Sequence, residues 1–197
     1  MRILSGIQIS LNPNWKKFRE TVLSRYRQAD IDVEIKPVLD IINASESFVT
    51  LSSCAGRIVV MDMPNFGDKK NSVFLGKWHQ PPEFSEVMEA ILKGQRQTWF
   101  MMHPPIIHVA CRSLFDAFDL LEIAKRSGFR RSGLISQKKF AIEIASQERV
   151  EMLVAENGEL LMNEKALKRN FELSVEKLKK SRERIFKFSR TFEEYFL

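Results

Sequence analysis

Glycine and proline are scarce, at 8 and 7 in a chain of 197 residues, which excludes a collagen-like or linker-dominated protein. Cysteine is scarcer still, and Cys54 and Cys111 alone make no disulfide framework. The histidines His79, His103 and His108 are scattered and lack the spacing of a zinc site, so no metal is expected. Long apolar runs are missing, which leaves no candidate for a bilayer span and no expected membrane role. The opening MRILSGIQISLN has Ser, Gln and Asn inside its apolar stretch and reads as a poor secretory signal. A soluble, cytoplasmic chain is the expectation. There is no glycine-rich strand-to-helix turn of the Rossmann type, no phosphate loop and no nucleophile elbow, so several large enzyme classes are excluded in their common forms.

What is present is an ordinary globular balance with a basic bias. Hydrophobic residues make up 44% and charged residues 28%. Lys and Arg number 31 against 25 Asp and Glu, a net charge of +6 with a pI near 9.4. Residues 125–139 hold Lys125, Arg126, Arg130, Arg131, Lys138 and Lys139 and no acidic residue. Residues 15–30 carry Lys16, Lys17, Arg19, Arg25 and Arg27 against Glu20 and Asp30. Such clusters attract polyanions by Coulomb forces and counterion release, which points to nucleic acid; a merely solvated surface is the alternative.

Helical spacing of Trp15, Phe18, Val22 and Tyr26 predicts an amphipathic helix with a basic outer face. A second helix is expected over residues 32–43, with Pro37 in its early turns. Short β-type runs follow: FVTLSSC, RIVVMDM and SVFLGKWHQ, then TWFMM and PIIHVACR about the His103-Pro104-Pro105 corner. A short helix closes at Gly94, and another is capped by Ser113 with Asp116 and stopped at Gly128. SGLISQ and FAIEIAS read as strands, and Asn157-Gly158 as a hairpin turn. From residue 163 a helix runs to the end without Gly or Pro, about 50 Å long at 1.5 Å per residue. This order predicts an α+β fold with a mixed, mostly antiparallel sheet. It reads as a single domain over 1–197, with 1–14 an N-terminal extension and 163–197 the closing helix.

Three clusters could carry chemistry. In Ser52-Ser53-Cys54-Ala55-Gly56-Arg57, small side chains let a ligand approach the backbone, and Arg57 could clamp a carboxylate or phosphate. A tight hairpin with an arginine at its edge is the plain alternative. In the strand ending His108-Val109-Ala110-Cys111-Arg112, alternation puts His108 and Ala110 on one face. His108 is then either a hydrogen-bonded core residue or a base, Cys111 is most simply a small hydrophobe, and Arg112 precedes a helix N-terminus. In Ser127-Gly128-Phe129-Arg130-Arg131-Ser132-Gly133 the glycines serve turns, while Arg130, Arg131, Lys138 and Lys139 could grip a phosphate backbone. Glu143 sits in an apolar strand and needs either solvent or a partner. Trp78 and Trp99 could stack a base or simply pack.

With Ile58 and Asp116-Ala117 added, these segments occur in the same order as in the tRNA wybutosine-synthesizing protein 3 family, which the chain resembles from Trp15 through the closing helix. The resemblance implies methylation, by S-adenosylmethionine, of N-4 of a 3-amino-3-carboxypropyl-demethylwyosine base at position 37 of tRNA-Phe. It also implies a fold other than the common methyltransferase one. On that reading Ser53, Cys54, Gly56, Arg57 and Arg112 hold the cofactor, and His108 and Glu143 act on the reacting groups. Arg130, Arg131, Lys138 and Lys139 would then hold the RNA. A non-catalytic RNA-binding module is the competing class, and a thiol enzyme using Cys54 has no sequence-adjacent histidine.

Replacing Arg130, Arg131, Lys138 and Lys139 together is expected to weaken tRNA binding at moderate salt. For each cation that no longer meets a phosphate, the dependence of log K on log salt flattens by a little under one unit. Filter binding of a tRNA transcript across a salt series measures the slope; an unaltered slope moves the RNA surface to the helix beginning at Trp15 or to the closing helix.

Overall fold

The computed structural model describes residues 12, 14–68 and 70–197, so most of the expected extension 1–14 lies outside the described residues. The elements are α1 (Trp15–Tyr26), α2 (Lys36–Ala44), β1 (Phe48–Cys54), β2 (Arg57–Met63), β3 (Val73–Trp78), α3 (Phe84–Leu92) and β4 (Gln97–His103). They continue with β5 (Ile106–Cys111), α4 (Leu114–Arg126), β6 (Gly133–Ser136), β7 (Ala141–Ala145), β8 (Val150–Glu156), β9 (Glu159–Leu160) and α5 (Glu164–Phe196). Two compact units emerge. The first takes the described residues up to Cys54, then Ile106–Ser146 and Arg184–Leu197; the second takes Ala55–Pro105 and Gln147–Glu183. The α+β class holds, with the strands divided between two sheets of order β1-β5-β7-β6 and β3-β2-β4-β8-β9. Every strand pair in both is antiparallel.

In the first unit, Trp15, Phe18, Val22 and Leu23 of α1 pack on Val49 and Ala110 of the sheet. The Trp15 indole N–H donates to the Glu46 carbonyl at 2.8 Å. The Arg19 guanidinium donates to the carbonyls of Asn43, Ser45 and Phe48 at 2.6, 3.0 and 3.1 Å. Arg19 is therefore an internal brace between α1 and the turn before β1, which corrects its assignment to a basic outer face. α2 begins at Lys36 rather than near residue 32, and Pro37 falls in its first turn, where a missing N–H leaves no acceptor unpaired.

Away from α1, Phe48 meets Phe192 and Phe196 of α5, with ring centroids 5.3 and 4.6 Å apart. Phe188 meets Phe129 at 6.1 Å. The α4 ends are those read from the sequence. Ser113 Oγ accepts from the Asp116 N–H at 3.1 Å, and Gly128 stops the helix at φ 98° while the Phe129 N–H donates to the Ala124 carbonyl at 2.8 Å.

In the second unit, Ile58, Val60, Phe100, Met102 and Val154 form a core with Val87 and Ile91 of α3 and Leu167, Phe171 and Leu178 of α5. Asp62, only 6% exposed, accepts from Arg96 N–H groups at 3.0 and 2.9 Å, which satisfies the buried charge. Arg182 donates to the carbonyls of Ala55, at 2.9 Å, Gly56 and His79. The β8–β9 turn has Asn157 at φ 52° and Gly158 at φ 81°, the pair of positive angles a two-residue hairpin needs.

Gly56 is tightly enclosed by its own unit. Its φ is 84°, and an added Cβ would stand 2.7 Å from Leu178 Cδ1, 2.9 Å from the His103 carbonyl oxygen and 3.0 Å from the Pro105 nitrogen. Gly56→Ala combines a left-handed backbone penalty of about 1–2 kcal/mol with an overpacking cost of about 1–3 kcal/mol. Urea denaturation should register a loss of at least about 2 kcal/mol at unchanged slope. A midpoint equal to that of the unmodified protein would mean that the turn relaxes freely.

Candidate active site

Strand β1 pairs with β5 so that Thr50 faces Val109 while Ser52 faces His108, leaving Leu51 surplus. Plain alternation from Val49 would carry Ser53 to the face covered by α1. The surplus residue shifts the phase by one, so Ser52 joins Val49 there instead. His108 lies two residues from Ala110, on that same face. It pairs with Glu143 of β7, and Glu143 pairs with Gly133 of β6. Ser52, His108, Glu143 and Gly133 thus form a row across all four strands of the sheet, drawing on all three clusters singled out in the sequence.

The row is hydrogen bonded. Ser52 Oγ lies 2.7 Å from His108 Nδ1, and His108 Nε2 lies 2.9 Å from Glu143 Oε2. An ionised carboxylate only accepts, so Nε2 carries the hydrogen and the Nδ1 lone pair accepts from the Ser52 hydroxyl. The His108 and Glu143 side chains are 26% and 34% exposed, sheltered yet reachable. A Cβ added at Gly133 would meet nothing within 4 Å, so that glycine leaves space open beside Glu143.

Ser52 also belongs to the wall of a cavity of about 510 Å³, a volume in the range of small-molecule sites. Thr50, Leu51 and Ser53 extend that wall, facing Phe18, Val22, Arg25 and Tyr26 of α1. Asp30, Ile31 and Asp32 enter from the segment after α1, and Lys139 comes from the turn before β7. The Lys139 ammonium lies 5.1 Å from the Phe18 ring centroid, a cation–π contact that fixes it at the rim. A neighbouring cavity of about 660 Å³ differs in character. Arg27 and Asp30 also line it, while Tyr26 donates to Asp40 at 2.5 Å and Lys36 pairs with the same carboxylate at 2.7 Å. Burial pulls the Asp40 carboxyl up, but these two hydrogen bonds outweigh it and hold the group below the usual range.

Other residues singled out in the sequence fall in different places. Ser53 lines the 510 Å³ cavity, and Cys54 is half-buried at the end of β1. Burial, followed by the charge of Asp116, pushes the Cys111 thiol far up, consistent with a packed, inert side chain. Ser53 pairs with Ile107, and Arg112 lies five residues further on, about 17 Å along the strand direction. Arg112 pairs instead with Asp116 at 3.4 Å, so the structure does not join it to Ser53 and Cys54. Arg130, Arg131 and Lys138 are exposed. Trp78 packs against the core of the second unit, and Trp99 lies against Phe66 with centroids 4.6 Å apart.

Arg57 opens β2 in the second unit, opposite His103 on β4. His103 Nε2 lies 3.6 Å from Glu151 Oε1 and 3.5 Å from Arg149 Nη2, and Arg149 pairs with the same carboxylate. Burial, then the guanidiniums of Arg149 and Arg57, push the His103 imidazole below its ordinary value, against the weaker pull of Glu151. With His103 neutral this cluster keeps an excess of positive charge.

Sequence reasoning missed Ser52 as the partner of His108, and it missed the cavity. The available signal for the cavity was Asp30 and Asp32, two acidic residues closing a mostly basic stretch.

The family profile described as Methyltransferase TYW3 matches residues 12–194. A relative from Archaeoglobus fulgidus is 44% identical over 183 residues, covering 91% of this chain and 93% of that protein. It is named tRNA(Phe) 7-((3-amino-3-carboxypropyl)-4-demethylwyosine(37)-N(4))-methyltransferase. A Pyrococcus horikoshii enzyme with the same name, numbered 1, is 42% identical over 162 residues, covering 81% of this chain and 83% of its own. A solved structure of a Pyrococcus horikoshii protein matches with a TM-score of 0.86 and 37% identity, covering 92% of this chain and 97% of that one. Among the described residues no helix is long and apolar enough to cross a membrane.

The depressed His103 value links stability to pH. Between its folded and unfolded values the unfolded chain binds more protons, so the stabilisation is whole above about pH 6.5 and is lost as pH falls. Thermal midpoints from pH 7.5 down to 5 should fall less steeply in His103→Gln than in the unmodified protein. Parallel profiles would show that His103 protonates as freely in the folded state as in the unfolded one.

Proposed function

Because the chain belongs to the Methyltransferase TYW3 family, we propose that it methylates N-4 of the 3-amino-3-carboxypropyl-demethylwyosine base at position 37 of tRNA-Phe, with S-adenosylmethionine as donor. The observation that carries the reading is the hydrogen-bonded row Ser52–His108–Glu143 ending at the wall of a ligand-sized cavity. The residues there fit the donor's chemistry: serine hydroxyls and charges of both signs face a cationic molecule with an amino-acid end. When bound, S-adenosylmethionine supplies an electrophilic methyl group on a sulfonium.

Methylating a ring N–H nitrogen replaces hydrogen by carbon, so one proton has to leave. Ser52 already gives its own hydrogen to His108 Nδ1, which leaves the Oγ lone pairs open toward the cavity. A ring N–H placed at that oxygen passes its proton to Oγ as the Ser52 hydrogen moves to Nδ1. The imidazolium so formed has one N–H on Ser52 and the other on the Glu143 carboxylate, where the new charge is compensated. Glu143 is a positioning residue: it holds the tautomer that leaves Nδ1 free. The remaining acceleration comes from holding donor and acceptor in line.

Labelled S-adenosylmethionine and tRNA-Phe carrying the precursor base test the reading. The unmodified protein should transfer the label, and its failure to do so would overturn the function. Ser52→Ala and His108→Gln should each cut kcat about 100-fold or more, with thermal midpoints nearly unchanged. Glu143→Gln should do the same, and Glu143→Asp should recover part of the rate. Full turnover in His108→Gln would remove the relay and leave positioning alone.

A further inference from the structure

The cavity beside Ser52 is walled by charges of both signs. Arg25 and Lys139 bring cations to it, and Asp30 and Asp32 bring carboxylates. Among the described residues, the ion pairs involve neither Arg25 nor Asp30, and the Lys139 ammonium rests on the Phe18 ring rather than on a carboxylate. An anion-binding site for the RNA backbone would need the cations alone, since carboxylates in the same wall repel a phosphate. Charges of opposite sign that are not paired with each other are complementary to a ligand that carries both signs itself.

We propose that this cavity binds an α-amino-acid zwitterion, its carboxylate at Arg25 and Lys139 and its ammonium at Asp30. The inference rests on the methyl transfer proposed above and deepens it, because two participants carry that group. One is the 3-amino-3-carboxypropyl chain of the acceptor base; the other is the amino-acid end of S-adenosylmethionine. Either way the zwitterion is an anchor remote from the reacting nitrogen. Its binding energy holds the ligand beside Ser52, as substrate parts that do not react commonly do. Cations and carboxylates on one wall also discriminate: a ligand with only one charged end leaves the opposite set unpaired.

The test uses equilibrium binding, so it does not depend on turnover. Arg25→Gln, Lys139→Gln and Asp30→Asn are each titrated calorimetrically with S-adenosylmethionine. In filter binding they are offered tRNA-Phe whose precursor base either bears or lacks the aminocarboxypropyl chain. All three variants are expected to weaken the same ligand about tenfold, as removal of one charge-assisted hydrogen bond does. If the cavity holds the base's chain, affinity for the chain-bearing tRNA falls to that of the chain-less one and donor affinity stays. If it holds the donor, calorimetric affinity falls and both tRNAs bind as before. Unchanged affinities in all three variants overturn the proposal. So does weakening by the two cation variants with Asp30→Asn silent, the signature of a plain anion site. Absence of methyl transfer by the unmodified protein overturns the function instead, and these titrations still decide the cavity.

Discussion

Side chains along a strand alternate strictly, so a strand that must show an apolar residue to a helix and, three positions later, a hydroxyl to the same side has the wrong parity. Strand β1 meets that demand with one surplus residue. Leu51 is the bulge, and it puts Val49 under α1 and Ser52 beside His108 on one face. The hydrogen-bonded row of the first unit depends on this shift. Without it Ser52 would turn toward the opposite side of the sheet, His108 Nδ1 would have no donor, and Glu143 would orient an imidazole that leads nowhere.

Arginine has two separate uses in this chain. Arg19 and Arg182 spend their planar donor sets on backbone carbonyls at turns, three acceptors each. Arg96 turns its Nε–H on the Asp62 carboxylate and its Nη groups on the carbonyls of Asp62 and Asn71. These guanidiniums hold loops where no regular ladder reaches, and none of them is free for a ligand. Arg25, Arg57 and Lys139 are placed differently, against cavity walls or other cations. The net charge of +6 therefore overstates how much positive surface is available, and position matters more than count.

Much of the fold was legible because local chemistry decided it. The Ser113–Asp116 cap, the Gly128 stop, the Asn157-Gly158 turn and the uninterrupted closing helix each follow from a few adjacent residues. The division into two sheets was not legible, since strand partners are chosen by contacts remote in sequence, and β4 and β5 join different sheets across a two-residue corner. His108 and Glu143 stood out as polar residues in apolar strands. Ser52 did not stand out as the partner of His108, because the bulge that brings it there leaves no mark in FVTLSSC. The cavity was missed because its charges come from α1, the segment after it and the turn before β7, three places that only tertiary packing assembles.

The first unit is stitched from three separate stretches of chain, and its last contribution arrives very late. Phe48, near the beginning, is packed against Phe192 and Phe196, and Phe129 against Phe188. During synthesis the ribosome makes β1, β5 and β7 long before those rings exist. The nascent sheet must therefore wait with its Phe48 side uncovered until residues near 190 have left the exit tunnel. The row Ser52–His108–Glu143 crosses that same sheet. The sheet that carries the row is therefore covered on that side only once α5 has joined it.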